Sequence, residues 1–296
     1  MQEIIALDSQ VFKAYVACPR MCKFQFIDKL EPLVKESYFD RGSLVHEMLK
    51  VHYKLIKHNH NIHDQRVKRI DYRRLIEIVV RRGEHYSMHI DLPPEECLRA
   101  IETYKQYAEY YQGENWIPTH VESAFSVILY DSDDLRILWE GKIDLMVQHG
   151  IVDTKTSERR GEPNNLDDQF MGYCFAMKCS NLIINKIGFQ KSLKPEDKFE
   201  RYTKSYPAAI ISEWQQHVVQ VVEDGMLDDI KEAVALKGQL SSRMYRTFNY
   251  TACQKWGCRY YQVCSTEPEV RDWKIGQTFK RGDEWAPAKQ LEAVRQ

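Results

Sequence analysis

The sequence predicts an α/β fold in which a mixed β-sheet is flanked by helices. Three strand-like runs lie close together in the middle of the chain, at 121–129, 135–147 and 151–156. Only short turns separate these runs, and turns of that length are typical of antiparallel neighbours. A helical segment and a fourth strand, at 182–190, follow them. The predicted core therefore runs helix, three strands, helix, strand.

Helical segments are predicted on both sides of the strands. The first covers 8–30, where Asp8 or Ser9 is the expected cap and Pro19 the expected interruption. The others are predicted at 41–57, 64–90, 93–113, 165–179 and 207–236.

The chain shows no internal repeat and no linker of glycine and serine. We therefore interpret residues 1–296 as one domain. Residues 58–115 are a helical insertion in it, and residues 245–296 are a cysteine-rich C-terminal appendage that ends in a polar tail.

The composition restricts the classes of function. With 43% hydrophobic and 29% charged residues, the 296-residue chain can build a sizeable core. A net charge of −1 gives no global basic field, so a nucleic acid would have to be bound by a local patch. No signal-like segment and no apolar run of transmembrane length is found, so we expect an intracellular protein without a membrane partner.

Two aspartates and a lysine lie inside the central strand-like runs. Asp153 and Lys155 are two residues apart and so share one face of a strand, and a hairpin around His149 and Gly150 would bring Asp144 beside Asp153. Two close carboxylates repel unless a cation lies between them, and oxygen ligands suit Mg²⁺ or Mn²⁺. These groups are suited to phosphodiester hydrolysis. The alternative is a surface hairpin with ordinary solvent-facing charges.

Three further residues lie at helical spacings that suggest a common site. His46 is on the same helix stripe as Leu49 and Tyr53, so it should face inward, as either a core residue or a ligand. Gln169 and Tyr173 are four residues apart, directly after the strands, and so lie one above the other on a helix.

Taken in chain order, these features resemble the PD-(D/E)XK nuclease superfamily and, within it, the RecB-like branch. The pattern consists of an inward histidine, G-x-x-D at 141–144, D-x-K at 153–155 and Q-x-x-x-Y at 169–173. An apolar segment followed by Cys18-Pro19 also resembles the branch's N-terminal element. The resemblance spans residues 9–264 and implies a restriction-endonuclease-like core.

The resemblance implies a role for each matched residue, with Asp153 standing where glutamate is more usual. The implied ligands of Mg²⁺ or Mn²⁺ are His46, Asp144, Asp153 and the backbone carbonyl of Thr154. The implied catalytic residues are Asp144, Asp153 and Lys155, and the implied nucleic-acid contacts are Gln169 and Tyr173. Glu122 could add a further carboxylate.

The cysteines match a second feature of the same branch. Its CRISPR-adaptation exonucleases and AddB nuclease subunits hold a [4Fe-4S] cluster with one N-terminal cysteine and a C-terminal triplet. Cys18 matches the single ligand, and Cys253, Cys258 and Cys264 match the triplet. Their Cys-x4-Cys-x5-Cys spacing departs from the usual Cys-x2-Cys-x5-Cys, which leaves zinc as the alternative, and Cys22 could compete with Cys18.

Basic residues near these motifs are candidate phosphate contacts. Arg159 and Arg160 follow the D-x-K strand directly, where a loop would meet a nucleic-acid backbone. The basic segment 66–82 is either a second patch or a solvated helix face.

Together these features predict a metal-dependent deoxyribonuclease, acting as an exonuclease on single-stranded DNA or DNA ends in recombination, repair or replication. The chain contains no G-x-x-x-x-G-K-[ST] phosphate loop, so helicase or recombination proteins are the expected partners if unwinding is needed. The alternative is a non-catalytic DNA-binding or scaffold protein that keeps a metal-clamped nuclease-like fold.

Overall fold

The structure of the chain is a computed structural model. The chain divides into two compact units. Unit 1 comprises Met1–Lys35, Phe125–Gly141 and Ala208–Gln296, and unit 2 comprises Glu36–Ala124 and Lys142–Pro207. The residues that the structure describes are 2–33, 37–61, 70–90, 92–158, 167–190, 193–239, 243–247, 253 and 257–282.

Strands and helices alternate irregularly along the chain. The strands are β1 (Glu3–Leu7), β2 (Leu30–Pro32), β3 (Pro118–Asp131), β4 (Leu135–Val147), β5 (Gly150–Ser157), β6 (Asn181–Gly188), β7 (Phe199–Ser205) and β8 (Phe279–Arg281). The helices are α1 (Ser9–Ala17), α2 (Pro19–Cys22), α3 (Ser37–Asn61), α4 (Tyr72–His89), α5 (Pro94–Tyr110), α6 (Asp168–Met177), α7 (Pro195–Lys198), α8 (Ala208–Val221), α9 (Leu227–Ala235), α10 (Tyr261–Cys264) and α11 (Pro268–Thr278).

The sheet of unit 2 is mixed, as the sequence predicts. The end of β4 pairs antiparallel with β5, and the register places Leu145 opposite Val152. β5 pairs parallel with β6, and β6 pairs antiparallel with β7. A parallel pair next to antiparallel pairs is possible here because the crossover between β5 and β6 contains α6.

Helices α3, α4 and α5 pack together in unit 2 and supply much of its apolar core. Val45 and Met48 of α3, Val79 of α4 and Tyr104 of α5 are fully buried. They join Val152 of β5 in one cluster. The segment that the sequence marks as an insertion thus contributes α4 and α5 to the core that supports the sheet.

Unit 1 contains β1, which pairs parallel with the first half of β4. Helix α1 begins after Asp8, whose carboxylate accepts hydrogen bonds from the backbone amides of Gln10 and Val11 at 2.8 Å. The helical region predicted at 207–236 is broken into α8 and α9 by a π-helical turn, in which Gly225 has a φ of 141°. Glycine is favoured there because residues with a side chain rarely adopt that backbone conformation.

The segment after Cys264 is not a polar tail, so that expectation is wrong for its described residues. It forms α11 and β8, and β8 pairs antiparallel with β2. Five buried residues from both ends of the chain form one apolar cluster, which we call the terminal cluster: Phe24, Leu30, Tyr260, Val263 and Phe279. This packing was difficult to predict because polar and apolar residues are mixed in the segment, and Phe279 is the one buried residue of β8.

The predicted central strands are confirmed with small shifts at their ends, as are, within the described residues, the helices predicted at 41–57, 93–113 and 165–179. The helix predicted at 8–30 is divided into α1, α2 and a π-helical segment, Lys23–Ile27. The first part of the helix predicted at 64–90 lies outside the described residues, and its described part is α4.

Four strands were missed: β1, β2, β7 and β8. β2 begins at the end of the helix predicted at 8–30, and β8 lies in the segment predicted as a polar tail. Within the part of the chain that the structure describes, no helix is long and apolar enough to cross a membrane.

Candidate active site

The antiparallel register of β4 and β5 places Asp144 beside Asp153. One step beyond the Leu145–Val152 pair, the two aspartates face each other, and the amide of Thr154 donates a 2.9 Å hydrogen bond to Asp144 Oδ2. His46 Nδ1 of α3 lies 3.6 Å from the same oxygen. The sequence predicted this meeting from the hairpin turn and from the inward stripe of α3.

Burial makes the charged forms of the two aspartates unfavourable. Burial raises the pKa of the Asp144 carboxyl, and repulsion from Glu122 raises it further. Burial also raises the pKa of Asp153, where the Lys155 ammonium acts in the opposite direction and Asp144 adds repulsion. Burial lowers the pKa of His46, which favours the neutral imidazole that a metal ligand needs. Each group therefore gains from a nearby cation.

Lys155 is held in place by a chain of hydrogen bonds. Its Nζ lies 2.9 Å from Asp153 Oδ2 and donates to Gln169 Oε1 at 2.9 Å. Gln169 Nε2 donates to the Tyr173 hydroxyl at 2.7 Å, and that hydroxyl donates to the backbone carbonyl of Lys142 at 2.8 Å. We call this chain the lysine relay. It gives Gln169 and Tyr173 a positioning role, and their contact with nucleic acid stays a prediction.

A cavity of about 850 Å³ opens in unit 2 beside α3 and β4. Asp144 and His46 line it, as do Lys142 and Glu122, which form an ion pair at 2.5 Å. Glu122 has a φ of 50°, an uncommon conformation for a glutamate inside a strand. The turned backbone of β3 therefore presents this carboxylate at the cavity, as the sequence loosely suggested.

A buried polar network supports the site strand from β6 and β7. Asn185, fully buried on β6, donates to the Thr154 hydroxyl at 3.3 Å and to the Tyr107 hydroxyl at 3.1 Å. It accepts a 3.3 Å hydrogen bond from Arg201 Nε of β7. Arg201 in turn forms an ion pair with Glu114 at 2.7 Å. This network could not be predicted from the sequence, since its members are far apart along the chain.

The acidic residues at this site would gain from a divalent cation. Asp153 is 1% exposed; Lys155 Nζ donates to its Oδ1 at 3.2 Å and lies 2.9 Å from its Oδ2, which accepts no well-formed hydrogen bond from the described residues. A buried carboxylate oxygen without a hydrogen bond is unfavourable, and a hard cation would compensate it. Across the described residues, no three histidine, cysteine, aspartate or glutamate side chains are arranged in a complete metal site.

The predicted cluster cysteines lie near one another in unit 1. Burial raises the pKa of the Cys258 thiol, and the other thiols that act on it are those of Cys18, Cys253 and Cys264. Thr247 connects two of them, because its amide donates to Cys18 Sγ and its carbonyl accepts from Cys253 Sγ, each at 3.4 Å. Cys22 is instead fully buried, and its thiol donates to the Val11 carbonyl.

One comparison with known proteins identifies the family of this chain. The model of the PD-(D/E)XK nuclease superfamily matches residues 9–265. The chain belongs to that superfamily. Its mixed sheet flanked by helices is the restriction-endonuclease-like core that the sequence predicts, and its general activity is that of a nuclease.

No curated protein matches this superfamily member. Among solved structures, a candidate exonuclease from Eubacterium rectale has 12% identity and a TM-score of 0.47, covering 92% of this chain and 93% of that one. The crystal structure of SSO0001 has 15% identity and a TM-score of 0.28, covering 58% and 85%. Neither likeness adds to the family assignment.

The structure thus brings together most of the residues that the superfamily pattern selects. His46, Asp144, Asp153, Thr154 and Lys155 lie in one site of unit 2, with Gln169 and Tyr173 behind the lysine. Arg159 and Arg160 lie outside the described residues. Their role as phosphate contacts stays a prediction.

Proposed function

We propose that this chain is a divalent-cation-dependent deoxyribonuclease of the RecB-like branch that acts as an exonuclease on single-stranded DNA or DNA ends. One observation carries the proposal: the buried carboxylate of Asp153 pairs with the Lys155 ammonium at 2.9 Å, while Asp144 adds a second negative charge nearby. Two carboxylates beside one ammonium would gain from a divalent cation, and with one they are suited to phosphodiester hydrolysis.

Each residue has a distinct part in the proposed reaction. Asp144, Asp153, His46 and the Thr154 carbonyl would hold Mg²⁺ or Mn²⁺, which polarises the scissile phosphate and favours ionisation of an attacking water. Lys155 places a positive charge beside the site, where it orients the water and stabilises the developing phosphorane charge. The lysine relay keeps that ammonium aligned between substrate encounters.

The cavity supports a nucleic-acid substrate because it carries cations beside the acidic residues. Lys50 and Lys142 line it and are each partly exposed, in ion pairs with Glu47 and Glu122. Exposed ion pairs of this kind exchange readily for phosphate, because they contribute little stability. DNA as substrate, single strands or ends as its form, and helicase or recombination proteins as partners are parts of this proposal.

The test is digestion of labelled DNA by purified protein. We expect Mn²⁺ or Mg²⁺ to support cleavage of single-stranded DNA, and EDTA to abolish it. Lys155→Ala should lower the rate at least about 10³-fold because it removes a charge that acts in the transition state. Lys54→Ala is the matched control, since this lysine is exposed on α3, and it should cleave at the wild-type rate.

Two results would overturn the proposal. Cleavage by Lys155→Ala at the wild-type rate would remove the lysine from the chemistry. Wild-type protein that binds DNA tightly and cleaves neither DNA nor RNA with either metal would favour the non-catalytic DNA-binding or scaffold alternative.

We also propose that Cys18, Cys253, Cys258 and Cys264 bind a [4Fe-4S] cluster, with zinc as the alternative. The influence of the other three thiols on the pKa of Cys258 supports this, as does the inward turn of Cys22 to the Val11 carbonyl. Anaerobically purified protein should then be brown and contain iron and sulfide. Cys18→Ser should remove the colour and Cys22→Ser should keep it. Colourless protein with one zinc per chain would support the alternative.

A further inference from the structure

A second cleft, in unit 1, is lined by three arginines. Its volume is about 400 Å³, and its wall includes Arg20, Arg246 and Arg271, together with Tyr245 and Glu267. The remaining lining residues are Cys264, Ser265 and Thr266. We call this site the arginine cleft.

The positive charges of the arginine cleft exceed its negative ones. Among the described residues that line it, Glu267 is the one carboxylate. The three guanidinium groups are close enough to affect one another, because Arg20 and Arg246 both lower the pKa of Arg271, after burial. Arginines stay charged at any physiological pH, so their mutual repulsion persists until an anion binds.

The guanidinium groups are held by backbone carbonyls. Arg271 Nε donates to the Val263 carbonyl at 3.3 Å, and its Nη2 donates to the Thr266 carbonyl at 3.0 Å. Arg246 Nη1 donates to the Cys264 carbonyl at 3.3 Å. Arg20 Nε donates to the Met244 carbonyl at 3.4 Å. Arg20 Nη1 also approaches Cys264 Sγ at 4.0 Å. A carbonyl orients the Arg271 guanidinium without neutralising it, so the charge of Arg271 remains available to a ligand.

One donor of the cleft is buried without a hydrogen bond to any described residue. Arg271 is 8% exposed, and its Nη1 has no hydrogen-bond partner in the part of the chain that the structure describes. A buried donor left without a partner is unfavourable, more so when it is charged. Because the other two nitrogens fix the guanidinium plane, the position of this donor is fixed as well, and an anion would satisfy it.

Two features select among anions. Thr266 and Glu267 directly precede α11, so the positive end of this helix lies at the cleft. Tyr245 is 65% exposed at the rim of the arginine cleft. Its ring can therefore stack on a base when the bound anion carries one. Arginine forks match the geometry of phosphate, which nucleic acids combine with bases.

We propose that the arginine cleft binds a phosphate group of a nucleic-acid strand, and that Tyr245 stacks on the adjacent base. This inference rests on the proposed function for the identity of the ligand, and it adds a second contact point outside the residues of the candidate active site. The phosphate is either internal to the strand or a terminal monoester, and the experiment below distinguishes the two.

The test measures strand binding without cleavage, in full-length Lys155→Ala protein. The probe is a fluorescent oligothymidylate with a 5′-hydroxyl or a 5′-phosphate, and its anisotropy is followed over a series of salt concentrations. Arg246→Gln should weaken binding about tenfold, and it should reduce the slope of log affinity against log salt by about 0.7, the value for one lost phosphate contact of a single strand. Tyr245→Ala should weaken binding at least about fivefold with an unchanged slope.

Matched variants separate the cleft from general charge and from folding. Arg259→Gln makes the same change of charge at an exposed residue of unit 1 outside the cleft and should bind within about twofold of the parent. Arg246→Lys should keep the salt slope while losing part of the affinity. Arg20→Gln repeats the test should Arg246→Gln fold poorly, as judged by thermal melting.

A preference for the 5′-phosphate that disappears in Arg246→Gln would place a terminal monoester in the cleft, and equal losses with both probes would place an internal phosphodiester there. Binding and salt slopes of Arg246→Gln and Arg20→Gln equal to those of Arg259→Gln would overturn the inference, even if the wild-type enzyme cleaves DNA. Should the wild-type protein cleave nothing, calorimetric titration with inorganic phosphate tests the cleft alone. Binding lost in Arg246→Gln would then support it, and no binding by the parent would overturn it.

Discussion

The two units of the molecule treat their charges differently. In unit 2, hydrogen bonds and ion pairs connect most of the polar groups at the site: the lysine relay runs from Lys155 to a backbone carbonyl, and the Asn185 network supports the neighbouring Thr154. Asp153 Oδ2 is the exception, with the Lys155 ammonium as its counterion. In unit 1, three arginines surround a cleft with one carboxylate. The site of unit 2 is therefore largely organised before a substrate arrives, and our proposal is that the arginine cleft of unit 1 gains stability from the anion that it binds.

The two apolar clusters also differ in size. The cluster of unit 2 draws buried residues from three helices and several strands, whereas the terminal cluster, which is one part of the buried interior of unit 1, consists of five buried residues beside a ribbon of two three-residue strands. A small cluster depends more on each member. Substitutions in each unit test these differences.

The largest effect is expected from Phe279→Ala in the terminal cluster. Phe279 is 5% exposed, and its ring stacks on Tyr260 with centroids 5.3 Å apart. Loss of a buried phenyl group should lower the free energy of unfolding by about 3–5 kcal/mol, measured by denaturant titration. Trp273→Ala, on the exposed face of α11, should change it by less than about 0.5 kcal/mol. Equal effects of both substitutions would show that the terminal cluster does not hold the chain ends.

The Phe279→Ala variant also tests whether the proposed iron–sulfur site depends on the packing of the terminal cluster. If the cysteines hold a cluster, iron content should fall less than stability, because the thiolate ligands remain. Protein that loses all of its iron with Phe279→Ala would instead show that the cluster needs the ribbon of β2 and β8.

A smaller effect is expected from Asn185→Leu in unit 2. Leucine has a similar volume but removes the hydrogen bonds to Thr154, Tyr107 and Arg201, and it leaves their buried groups without a partner. Stability should fall by about 2 kcal/mol, and Mn²⁺ affinity, measured by calorimetry, should fall with it because Thr154 loses its support. Asn181→Leu, exposed at the start of the same strand, is the control. A loss of stability with unchanged Mn²⁺ affinity would limit Asn185 to a structural role.

The sequence predicted the parts of this architecture that depend on local pattern. The short turn before Gly150 fixed the register that brings Asp144 to Asp153, and the spacing of Gln169 and Tyr173 placed both on one face of α6. These relations involve neighbours in the chain, so periodicity and turn length suffice to find them.

The sequence could not predict the parts that depend on long-range pairing. Arg201 reaches Asn185 only because β7 pairs antiparallel with β6 in that register, and β7 itself was missed. Its residues FERYTKS are mostly polar, as in an edge strand, and resemble a loop. The arginine cleft was missed for the same reason, since Arg20 and Arg271 come from opposite ends of the chain.

The next substitution in order of expected effect, Gln169→Leu, interrupts the lysine relay. This change removes the acceptor for Lys155 Nζ and the donor to the Tyr173 hydroxyl, while Asp153 still attracts the lysine. We expect kcat to fall about tenfold, or about 1.4 kcal/mol in activation free energy, with KM and Mn²⁺ affinity nearly unchanged. Gln169→Glu should retain more activity, because it restores an acceptor. A rise of KM alone would support the predicted nucleic-acid contact in place of positioning.

The smallest effect is expected at Asp8, and it has the opposite sign. Burial raises the pKa of Asp8 to about 6, with repulsion from Glu140 adding to it, although the amides of Val11 and Gln10 donate to the carboxylate. Between the ordinary pKa near 4 and about 6, the folded protein therefore binds this proton more readily than the unfolded chain. Stability from this group is present at low pH and is lost as the pH rises through that window.

Asp8→Asn should remove this loss while keeping the cap of α1, because asparagine is as good an N-cap as aspartate. We expect the variant to be more stable than wild type by about 1 kcal/mol at pH 7.5, and no more stable at pH 4, in urea titrations at both values. Asp71→Asn is the control, since Asp71 caps α4 from an exposed position in unit 2. If the stability of Asp8→Asn depends on pH as that of the wild type does, the Asp8 carboxyl does not have a raised pKa. The difference in charge between the two units would then rest on the arginines of the arginine cleft alone.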